Sequence, residues 1–459
     1  MQNLLGFMNN KKFLIFDYEK SKVIHHNGNF RHIGDVQQLA IEHGVTNLWI
    51  LPNSNLAAKF EMLSFITDAS ENFSNCNVEQ IHGYYNVWKK SGTYEERTSV
   101  HITIPHLTNF AVLDISAKSF CKAVVALWKV LKNVQPMCAP AYTGKRELED
   151  MYSKFPNRLA NNPDDLIPIL KYRQAGELHW KTKTIKKAGL YVHAYDRNGS
   201  YCASMQGLKL GLGVPNHYEK GTIIFDKKLV GLWRVKANNK HSIFTGEYAP
   251  MPFFPVPDFE QEGIWLWTPS INAALRCGYE IEIEEAYIWE HSRPILEEWA
   301  KFLYDGRFEL REILEDEDAL AQALIWIKAI PNLTIGSFAP NDETIHSAIK
   351  RYDFRSMVIA ENYNRVMLPI EKLAKIGEYP IIVYVDGIFL LSDNPNPYEA
   401  YPMLSGDKTK LGGYRYEASM KWEDFKEAFE TLPLTDCISF FNENCYEYED
   451  MQPQTVYIH

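Results

Sequence analysis

The chain has 459 residues, of which 46% are hydrophobic and 23% charged, and its formal net charge is −10 at pH 7. This composition is ordinary for a globular protein with room for two or three domains. Its longest apolar runs are about half of the ~20 residues that a membrane span needs, and the start has no basic leader, so we expect neither a membrane span nor an export signal. Seven scattered cysteines without a C-x-x-C pair argue against a disulfide framework or a structural zinc site and predict a reduced, cytoplasmic setting.

The negative net charge does not favour nucleic-acid binding, because recognition of phosphates depends on clustered Lys and Arg side chains. Local patches rather than the net charge carry such binding, however. The composition therefore permits a nucleic-acid partner without indicating one. The sequence has two basic patches, namely Lys181, Lys183, Lys186 and Lys187, and further on Lys408, Lys410 and Arg415.

The N-terminal region of the chain alternates strand and helix patterns. Short runs rich in β-branched and aromatic residues predict strands, and an amphipathic pattern over 117–133 predicts a helix. These patterns indicate an α/β domain over 1–135, and a connector is expected over 136–188, of which the polar stretch over 136–162 is predicted to be irregular. The other predicted elements of this domain are strands over 13–16, 22–25, 47–51, 99–105 and 110–115 and a helix over 36–43.

The rest of the chain has a different pattern. A strand is predicted over 190–196, and a helix or turn follows it. Two helices separated by an acidic turn predict an antiparallel helical hairpin. The predicted elements after the first strand are several strands over 221–290, helices over 295–314 and 319–330, a long helix over 356–376, a β-hairpin over 379–392 and a last helix that ends near 431.

Two aspartates, Asp196 and Asp386, follow predicted central strands, which fix the direction of their side chains. Phosphodiester formation by two-metal catalysis needs carboxylates that hold ions ~3.5–4 Å apart. Mg²⁺ is bound by one or two carboxylates together with substrate phosphates. The pair therefore indicates a nucleotidyl-transfer site that uses Mg²⁺ or Mn²⁺. For either aspartate alone, the alternative is a residue that starts a turn.

Lys328 lies at the end of a nearly apolar helical stretch. Asn332 is four residues further on and would share its helix face, although Pro331 is expected to kink or end the helix. Such a lysine is either a phosphate ligand or a surface residue whose stem packs on apolar neighbours.

Three motifs in this order resemble those of the family B DNA polymerases, including their viral and plasmid-borne branch. The family has a palm motif D-x-x-S-L-Y-P-S, a fingers motif K-x-x-x-N-S-x-Y-G, and a second palm motif D-T-D-S in a β-hairpin. The resemblance covers about half of the chain, roughly 190–420. The matching residues are Asp196 and Tyr201 in the first motif, Lys328, Asn332 and Gly336 in the second, and Asp386 in the third.

The resemblance implies a role for each of these residues. Asp196 and Asp386 would bind the metal ions, and Tyr201 would pack under the sugar of the nucleotide and exclude a 2′-hydroxyl group. DNA primer-template and dNTPs would be the partners. The other implied contacts are to the triphosphate, by Arg307, Arg311, Lys328 and Asn332, and to the primer-template, by Gly336, Lys410 and Tyr414.

The resemblance also implies the fold, an α/β (α+β) architecture with a palm-like antiparallel sheet and a helical hairpin as fingers, preceded by an RNase H- or exonuclease-like α/β domain. One helix and an acidic tail are expected after the last sheet strand. We therefore expect a reduced or absent thumb, a weak grip on duplex and dependence on a replication protein partner. The domains would be an exonuclease-like domain over 1–135, a connector over 136–188, a first palm segment over 189–290, fingers over 291–340, a second palm segment over 341–430 and a short tail over 431–459.

The sequence departs from the family motifs at several positions. Tyr384 stands in place of the first aspartate of D-T-D-S, and Gly387 in place of its serine. An alternative alignment makes Asp386 the first aspartate and leaves Ile388 in the position of the second. Ile335 replaces the fingers tyrosine, which would weaken stacking on the nascent base pair.

The N-terminal domain carries Asp17 and Glu19 after a strand, as in the D-x-E motif that opens the proofreading exonuclease domains of the family. Asp114 is the one further acidic residue that suits such a site. We expect an exonuclease-like fold without activity, and the alternative is a generic α/β binding domain.

The leading hypothesis is template-directed nucleotidyl transfer by a compact polymerase of a mobile element or phage, acting in priming or initiation of replication. The rival is a polymerase-derived nucleic-acid-binding or replication-initiator protein without catalysis. The substituted motif positions, the short C-terminal region and the acidic charge favour the rival, whereas retention of Asp196, Asp386 and Lys328 favours the enzyme. A third hypothesis is a nuclease centred on Asp17 and Glu19.

Overall fold

The computed structural model describes residues 113–447 except 114, 133, 135, 137–139, 154–158, 184, 186–188, 239–242, 245–262, 341–348 and 408, together with the backbone of six earlier strands. The chain forms two compact units. The first combines Met1–Ser153 with Phe302–Thr334, and the second combines Lys154–Lys301 with Ile335–His459.

The described strands are distributed over both units. Those of the first unit are β1 (Phe13–Asp17), β2 (Lys22–Val23), β3 (Asn47–Leu51), β4 (Cys76–Ile81), β5 (Tyr84–Lys89) and β6 (Ser99–Thr103). Those of the second are β7 (His179–Lys181), β8 (Tyr191–Arg197), β9 (Leu210–Leu212), β10 (Asn216–Glu219), β11 (Val230–Asn238), β12 (Ile264–Trp267), β13 (Glu280–Trp289), β14 (His291–Arg293), β15 (Ile382–Tyr384), β16 (Gly387–Ser392) and β17 (Tyr414–Lys421).

The described helices run from the end of the N-terminal sheet to the C-terminal region of the chain. They are α1 (Ala117–Val130), α2 (Pro140–Met151), α3 (Ile167–Tyr172), α4 (Ser200–Met205), α5 (Thr268–Arg276), α6 (Glu297–Ile313), α7 (Glu317–Ser337), α8 (Tyr352–Lys375), α9 (Pro397–Ala400), α10 (Trp422–Thr431) and α11 (Leu434–Asn444), with a 3₁₀ turn at Pro402–Leu404.

The first unit contains a six-stranded sheet in the order β2-β1-β3-β6-β5-β4. β3 pairs in parallel with β1 and β6, and the other pairings are antiparallel. The predicted strands over 13–16, 47–51 and 99–105 are confirmed, whereas the predicted helix over 36–43 lies outside the described residues. This is a mixed α/β arrangement, as expected for the N-terminal region.

The first unit also holds a helical hairpin made by α6 from Phe302 and by α7 up to Thr334. Gly306 allows close packing, because a Cβ there would lie 2.8 Å from side-chain atoms of both Ile327 and Val130. The predicted hairpin is confirmed. The expectation that Pro331 could end its second helix is wrong, since α7 continues to Ser337 with the proline inside it.

Part of the predicted connector over 136–188 consists of ordered elements. α2 forms within it, with Pro140 at its first position, where the missing N–H costs nothing, and with Leu148 buried. β7 lies in the same connector and pairs with β15, so it belongs to a sheet of the second unit. The prediction of an irregular stretch over 136–162 is therefore wrong at α2.

The second unit is organised around a five-stranded antiparallel sheet in the order β17-β8-β16-β15-β7. Alternate residues of its strands face two separate cores. Tyr195, Ile388 and Leu390 pack with residues of α5 and α8, and Ala194 and Phe389 pack with residues of α10 and α11. Because both faces are covered, the strands read as continuous apolar runs in the sequence.

Two helices follow the last strand of this sheet, where the sequence predicted one helix and a tail. α11 carries the buried residues Cys437 and Phe441, and Phe441 packs edge-on against Phe389, with 5.0 Å between ring centroids. The prediction of a single helix is wrong because Pro433 starts a new helix instead of ending the last one.

The second unit has two further sheets, a four-stranded antiparallel sheet in the order β10-β13-β11-β12 and the pair β14-β9. Among the described helices, α7 is the one that is long and apolar enough to cross a membrane. Half of that stretch is buried, and core helices of globular proteins pass the same test, so this is weak evidence for a membrane span.

Candidate functional site

The two predicted metal-binding aspartates lie at the same end of the five-stranded sheet. Asp196 is the second-to-last residue of β8, and Asp386 lies in the two-residue turn that joins β15 to β16. β16 runs antiparallel to β8 with Ile388 opposite Tyr195, so the turn reaches the end of β8 that carries Asp196. Contrary to the prediction, Asp386 does not directly follow a strand, because β15 stops at Tyr384 and Val385 lies between them.

The turn that holds Asp386 has a strained backbone. Val385 has φ +56°, a left-handed conformation that is unfavourable for a β-branched side chain. Its N–H donates a hydrogen bond to the carbonyl oxygen of Leu178, at 2.6 Å. Strain of this kind persists where the surrounding structure fixes the backbone, and it is concentrated at functional sites. The strained residue directly precedes Asp386 in the turn.

The environment raises the pKa of Asp386 from 3.8 to about 7. Burial of the carboxyl group is the main cause, and the nearby negative charge of Asp196 adds to it, while the Ser200 hydroxyl group and the Arg197 charge oppose it. Two carboxyl groups that disfavour each other's charge form a good site for a cation, which removes the repulsion. The electrostatics therefore link Asp386 to Asp196.

A buried arginine, Arg197, directly follows Asp196 and makes several hydrogen bonds next to the site. The Arg197 guanidinium is 5% exposed and donates hydrogen bonds of 3.2 Å to the side chains of Ser200, Ser204 and Asn362. Burial lowers its pKa, which the negative charge of Asp386 partly offsets. Arg197 was absent from the predicted site, since the family motif allows any residue at this position.

Asn362, on α8, is the acceptor at the centre of this cluster. Its Oδ1 accepts hydrogen bonds from Arg197, from the Ser200 hydroxyl group and, at 3.1 Å, from the Ser204 hydroxyl group. Ser200 and Ser204 lie on α4, so the cluster joins α4, α8 and the end of β8. Nothing in the local sequence around Asn362 indicates this contact, which spans more than 150 residues.

Tyr201, on α4, lies next to the aspartate pair. Its hydroxyl group donates a hydrogen bond to Glu177 Oε1, at 2.6 Å. Burial raises its pKa, and the Glu177 hydrogen bond and the charges of Glu177 and Asp386 raise it further. The ring is half-buried. Glu177 was not among the predicted site residues.

The edge strand β17 brings two charged side chains to Asp196. Arg415 lies directly opposite Asp196, and its Nη2 is 3.5 Å from Asp196 Oδ2 and 3.3 Å from Glu417 Oε1. The register between β17 and β8 shifts between Tyr416 and Ala418, so Glu417 is the extra residue of a β-bulge. Bulges redirect side chains, and this one places a third carboxylate near the pair.

The loop before β17 packs on the turn that follows Asp196. Gly412 has φ +73° and donates its N–H to the Asn198 carbonyl oxygen at 2.8 Å, while its own carbonyl accepts from Arg197 Nε. The neighbouring Lys410 has an exposed side chain. Tyr414 is buried near both aspartates; burial raises its pKa, the Arg197 charge opposes this rise, and the charges of Asp386 and Asp196 add to it. The structure thus brings Lys410 and Tyr414 to the same region as Asp196.

The predicted triphosphate contacts lie in the first unit. Lys328 and Asn332 are exposed and four residues apart on α7, which agrees with a shared helix face. Arg311 is exposed, but Arg307 is buried, with its guanidinium 5.1 Å from the centroid of the Tyr304 ring. Arg307 therefore lies inside the unit and not on a solvated helix face.

Gly336, the next predicted contact, lies one residue before the end of α7 and is exposed. Ile335, which stands in place of the family's fingers tyrosine, is buried. Its buried position explains why an aliphatic side chain is accepted there.

At least one lysine of the predicted basic patches is engaged within the protein and not free to bind phosphates. Lys181 Nζ donates to the carbonyl oxygens of Phe429 and Leu432 at the end of α10, at 2.9 and 2.7 Å, so it caps a helix. Lys186, Lys187 and Lys408 lie outside the described residues.

Of the three candidate exonuclease residues, the structure describes Asp17. Asp17 is the last residue of β1, at a strand end as predicted. Glu19 and Asp114 lie outside the described residues.

The donor set fits a divalent cation that also uses substrate oxygens. Within the described residues of the chain, no group of three or more His, Cys, Asp or Glu side chains forms a complete metal site. Mg²⁺ does not need one, because it binds through one or two carboxylates, waters and substrate phosphates. Asp196 and Asp386 supply the two carboxylates.

No protein-family model matches the chain, and no curated protein matches it in sequence. Solved structures do match, among them phi29 DNA polymerase with primer-template DNA, with a TM-score of 0.56 and 12% identity over 87% of this chain and 79% of that one. Its complex with single-stranded DNA matches with a TM-score of 0.55 and 13% identity, and its ternary complex with primer-template DNA and incoming nucleotides with 0.56 and 12%, over the same shares. At this identity the likeness concerns the fold. The chain therefore has a DNA polymerase-like fold, a mixed α/β architecture with antiparallel sheets.

Proposed function

We propose that the protein is a DNA polymerase-like nucleotidyltransferase that extends a primer along a DNA template. One observation carries this proposal: Asp196 and Asp386 are electrostatically linked at one end of an antiparallel sheet within a polymerase-like fold. A protein that only binds nucleic acid has no need for two mutually repelling carboxylates.

Asp196 and Asp386 would hold Mg²⁺ or Mn²⁺. The chemistry supplied by such bound ions would be a lower pKa of the attacking 3′-hydroxyl group and stabilisation of the charge on the transferred phosphoryl group. The buried Arg197 limits the cost of two adjacent negative charges. Tyr201 would contact the nucleotide sugar.

The partners proposed are DNA primer-template and dNTPs, which the phi29 polymerase structures contain. In the family B resemblance, 189–290 and 341–430 would serve as the palm and 291–340 as the fingers. The phosphate-binding roles of Arg307, Arg311, Lys328 and Asn332 stay predictions from that resemblance, as do the roles of Gly336, Lys410 and Tyr414 towards the primer-template. A replication protein partner and a cytoplasmic location are proposed on the sequence alone.

A primer-extension assay tests the proposal. The purified protein is incubated with a labelled primer-template, dNTPs and Mg²⁺ or Mn²⁺, beside the variants Asp386→Ala and Asp393→Ala. Asp393 is an exposed aspartate that follows the opposite end of β16, so its variant is a matched control. We expect extension by the wild type and by Asp393→Ala, and at least a hundredfold loss in Asp386→Ala.

The outcomes separate this proposal from its rivals. Absence of extension by the wild type, or equal extension by Asp386→Ala, contradicts the polymerase. Binding of primer-template without extension would favour the inactive replication-initiator protein. Shortening of the primer without dNTPs, abolished by Asp17→Ala, would favour the nuclease.

A further inference from the structure

A carboxylate from the edge of the five-stranded sheet holds the tyrosine beside the aspartate pair. Glu177 lies two residues before β7, and its Oε1 accepts the hydrogen bond of 2.6 Å from the Tyr201 hydroxyl group. Tyr201 has one hydroxyl proton, so this bond commits it to Glu177. The bond ties α4 to the edge of the sheet.

Glu177 itself is fixed by the hairpin that carries Asp386. The carbonyl oxygen of the next residue, Leu178, accepts the hydrogen bond from the Val385 N–H. His179 stacks on Tyr384, with ring centroids 4.6 Å apart and planes inclined by 11°. These contacts join the two residues directly after Glu177 to the two residues directly before Asp386, so they set the position of Glu177 relative to the candidate metal site.

The side chain of Glu177 is partly exposed to solvent although it is held by hydrogen bonding to Tyr201. Its side chain is 37% exposed, and His179 Nε2 lies 3.6 Å from its other carboxylate oxygen. An accessible carboxylate usually stays in water, and holding one against a tyrosine costs side-chain entropy. A requirement to fix the position of the Tyr201 ring would explain why the hydrogen bond between Tyr201 and Glu177 forms despite this cost.

We propose that Glu177 is the positioning residue that makes Tyr201 select deoxyribonucleotides over ribonucleotides. The proposal rests on the proposed function, in which Tyr201 lies under the sugar. A tyrosine ring excludes a 2′-hydroxyl group only if it cannot move aside, and the bond to Glu177 removes that freedom. Since the hydroxyl proton is committed to Glu177, Tyr201 also cannot donate it to a ribose hydroxyl group.

The test compares the use of a dNTP with that of the matching rNTP. Single-nucleotide incorporation is measured as kcat/KM for dCTP and rCTP with wild type, Glu177→Ala, Glu177→Gln, Tyr201→Phe and the double variant Glu177→Ala/Tyr201→Phe. We expect Glu177→Ala to lower the dCTP/rCTP ratio about tenfold, the size of one hydrogen bond to a charged group.

The other variants distinguish positioning from a general loss of structure. Glu177→Gln keeps an acceptor oxygen and should restore most of the ratio. Tyr201→Phe should resemble Glu177→Ala, and the double variant should be no worse than either, because both single changes remove the same bond. Glu423→Ala removes a carboxylate that is 76% exposed on α10 and should leave the ratio unchanged.

The failures are distinguishable. Incorporation with an unchanged ratio in Glu177→Ala, or additive effects in the double variant, overturns the role of Glu177 and leaves the polymerase intact. Absence of incorporation of either nucleotide by every variant and by the wild type overturns the proposed function and this inference with it.

Discussion

The charge of a single residue, Asp386, links the candidate site to the stability of the fold. Its pKa of about 7 in the folded chain exceeds the ordinary value of 3.8, so the folded state holds a proton that the unfolded state releases. Stability from this group is fully present below about pH 4 and is lost as the pH rises through 7. Without metal, the site is therefore less stable at pH 8 than at pH 5.

Asp386→Asn should consequently stabilise the metal-free protein at alkaline pH. Asparagine cannot ionise, so we expect its thermal midpoint at pH 8 in EDTA to exceed that of the wild type by a few degrees, and to approach it at pH 4. Thermal unfolding followed by circular dichroism across this range is the measurement. Asp393→Asn, at an exposed position, serves as control, and equal midpoints of Asp386→Asn and wild type at pH 8 would contradict the prediction.

A second prediction at the scale of single residues concerns Arg415 and the binding of a metal ion. Its guanidinium lies 3.5 Å from Asp196, where a metal ion would add a second positive charge. Arg415→Gln removes that repulsion, so we expect Mn²⁺ to bind about three- to tenfold more tightly, as measured by electron paramagnetic resonance of free Mn²⁺. Lys421→Gln, on the same strand with its own partner Glu423, should change nothing. Weaker binding by Arg415→Gln would mean that the arginine instead holds Asp196 in place.

At the scale of elements, the site depends on how the loop before β17 meets the end of β8. Gly412 combines φ +73° with close packing, since a Cβ there would lie 2.8 Å from Ala203 Cβ and 3.0 Å from Arg197 Nη2. Residues that have a side chain rarely adopt this backbone conformation. In addition, a Cβ at this position would push the Arg197 guanidinium away from Asn362. Glycine is thus required by both the backbone and the packing.

Gly412→Ala should therefore damage stability and activity together. We expect a loss of about 1–3 kcal/mol in the free energy of unfolding, the usual cost of such strain, and a decrease in primer extension of more than tenfold. Urea denaturation and the extension assay measure the two effects. Gly413→Ala is the matched control, because Gly413 has no left-handed φ and its nearest neighbour is the Lys410 carbonyl oxygen at 3.3 Å. Similar effects of the two changes would contradict the argument.

At the scale of the whole molecule, the sequence predicted the sheet better than the contacts around the site. β8 and β16 are covered on both faces, so their apolar runs are long enough to recognise, and Asp196 and Asp386 stand out where those runs stop. Asn362 and Glu177 make hydrogen bonds with Ser200 and Tyr201 that join distant segments. A local pattern contains no information about such partners.

Some elements were missed for a different reason, namely that tertiary packing outweighed a local breaker. α7 continues through Pro331, although a proline inside a helix removes a hydrogen bond and usually ends it. The residues after it include the buried Thr334 and Ile335, and their burial compensates for the loss. The same reason applies to the segment that was expected to be a tail. It forms α11 after Pro433, and this helix buries Phe441.

The second face of the five-stranded sheet depends on that last helix, which makes the C-terminal region necessary for the unit. Phe441 is buried, and its ring centroid lies 5.0 Å from that of Phe389 on β16 and 5.4 Å from that of Phe425 on α10. Phe441→Ala leaves a cavity between three elements, and we expect it to cost about 3–5 kcal/mol of unfolding free energy.

Phe440→Ala is the matched control for this prediction, because Phe440 is the adjacent ring but only partly buried, and its loss should cost less than half as much. Urea denaturation followed by tryptophan fluorescence measures both. β16 begins next to the turn that carries Asp386, so Phe441→Ala should also decrease primer extension at temperatures where the wild type is fully folded. If Phe441→Ala and Phe440→Ala were equally mild, α11 would be an appendage rather than a component of the core that supports the aspartate pair.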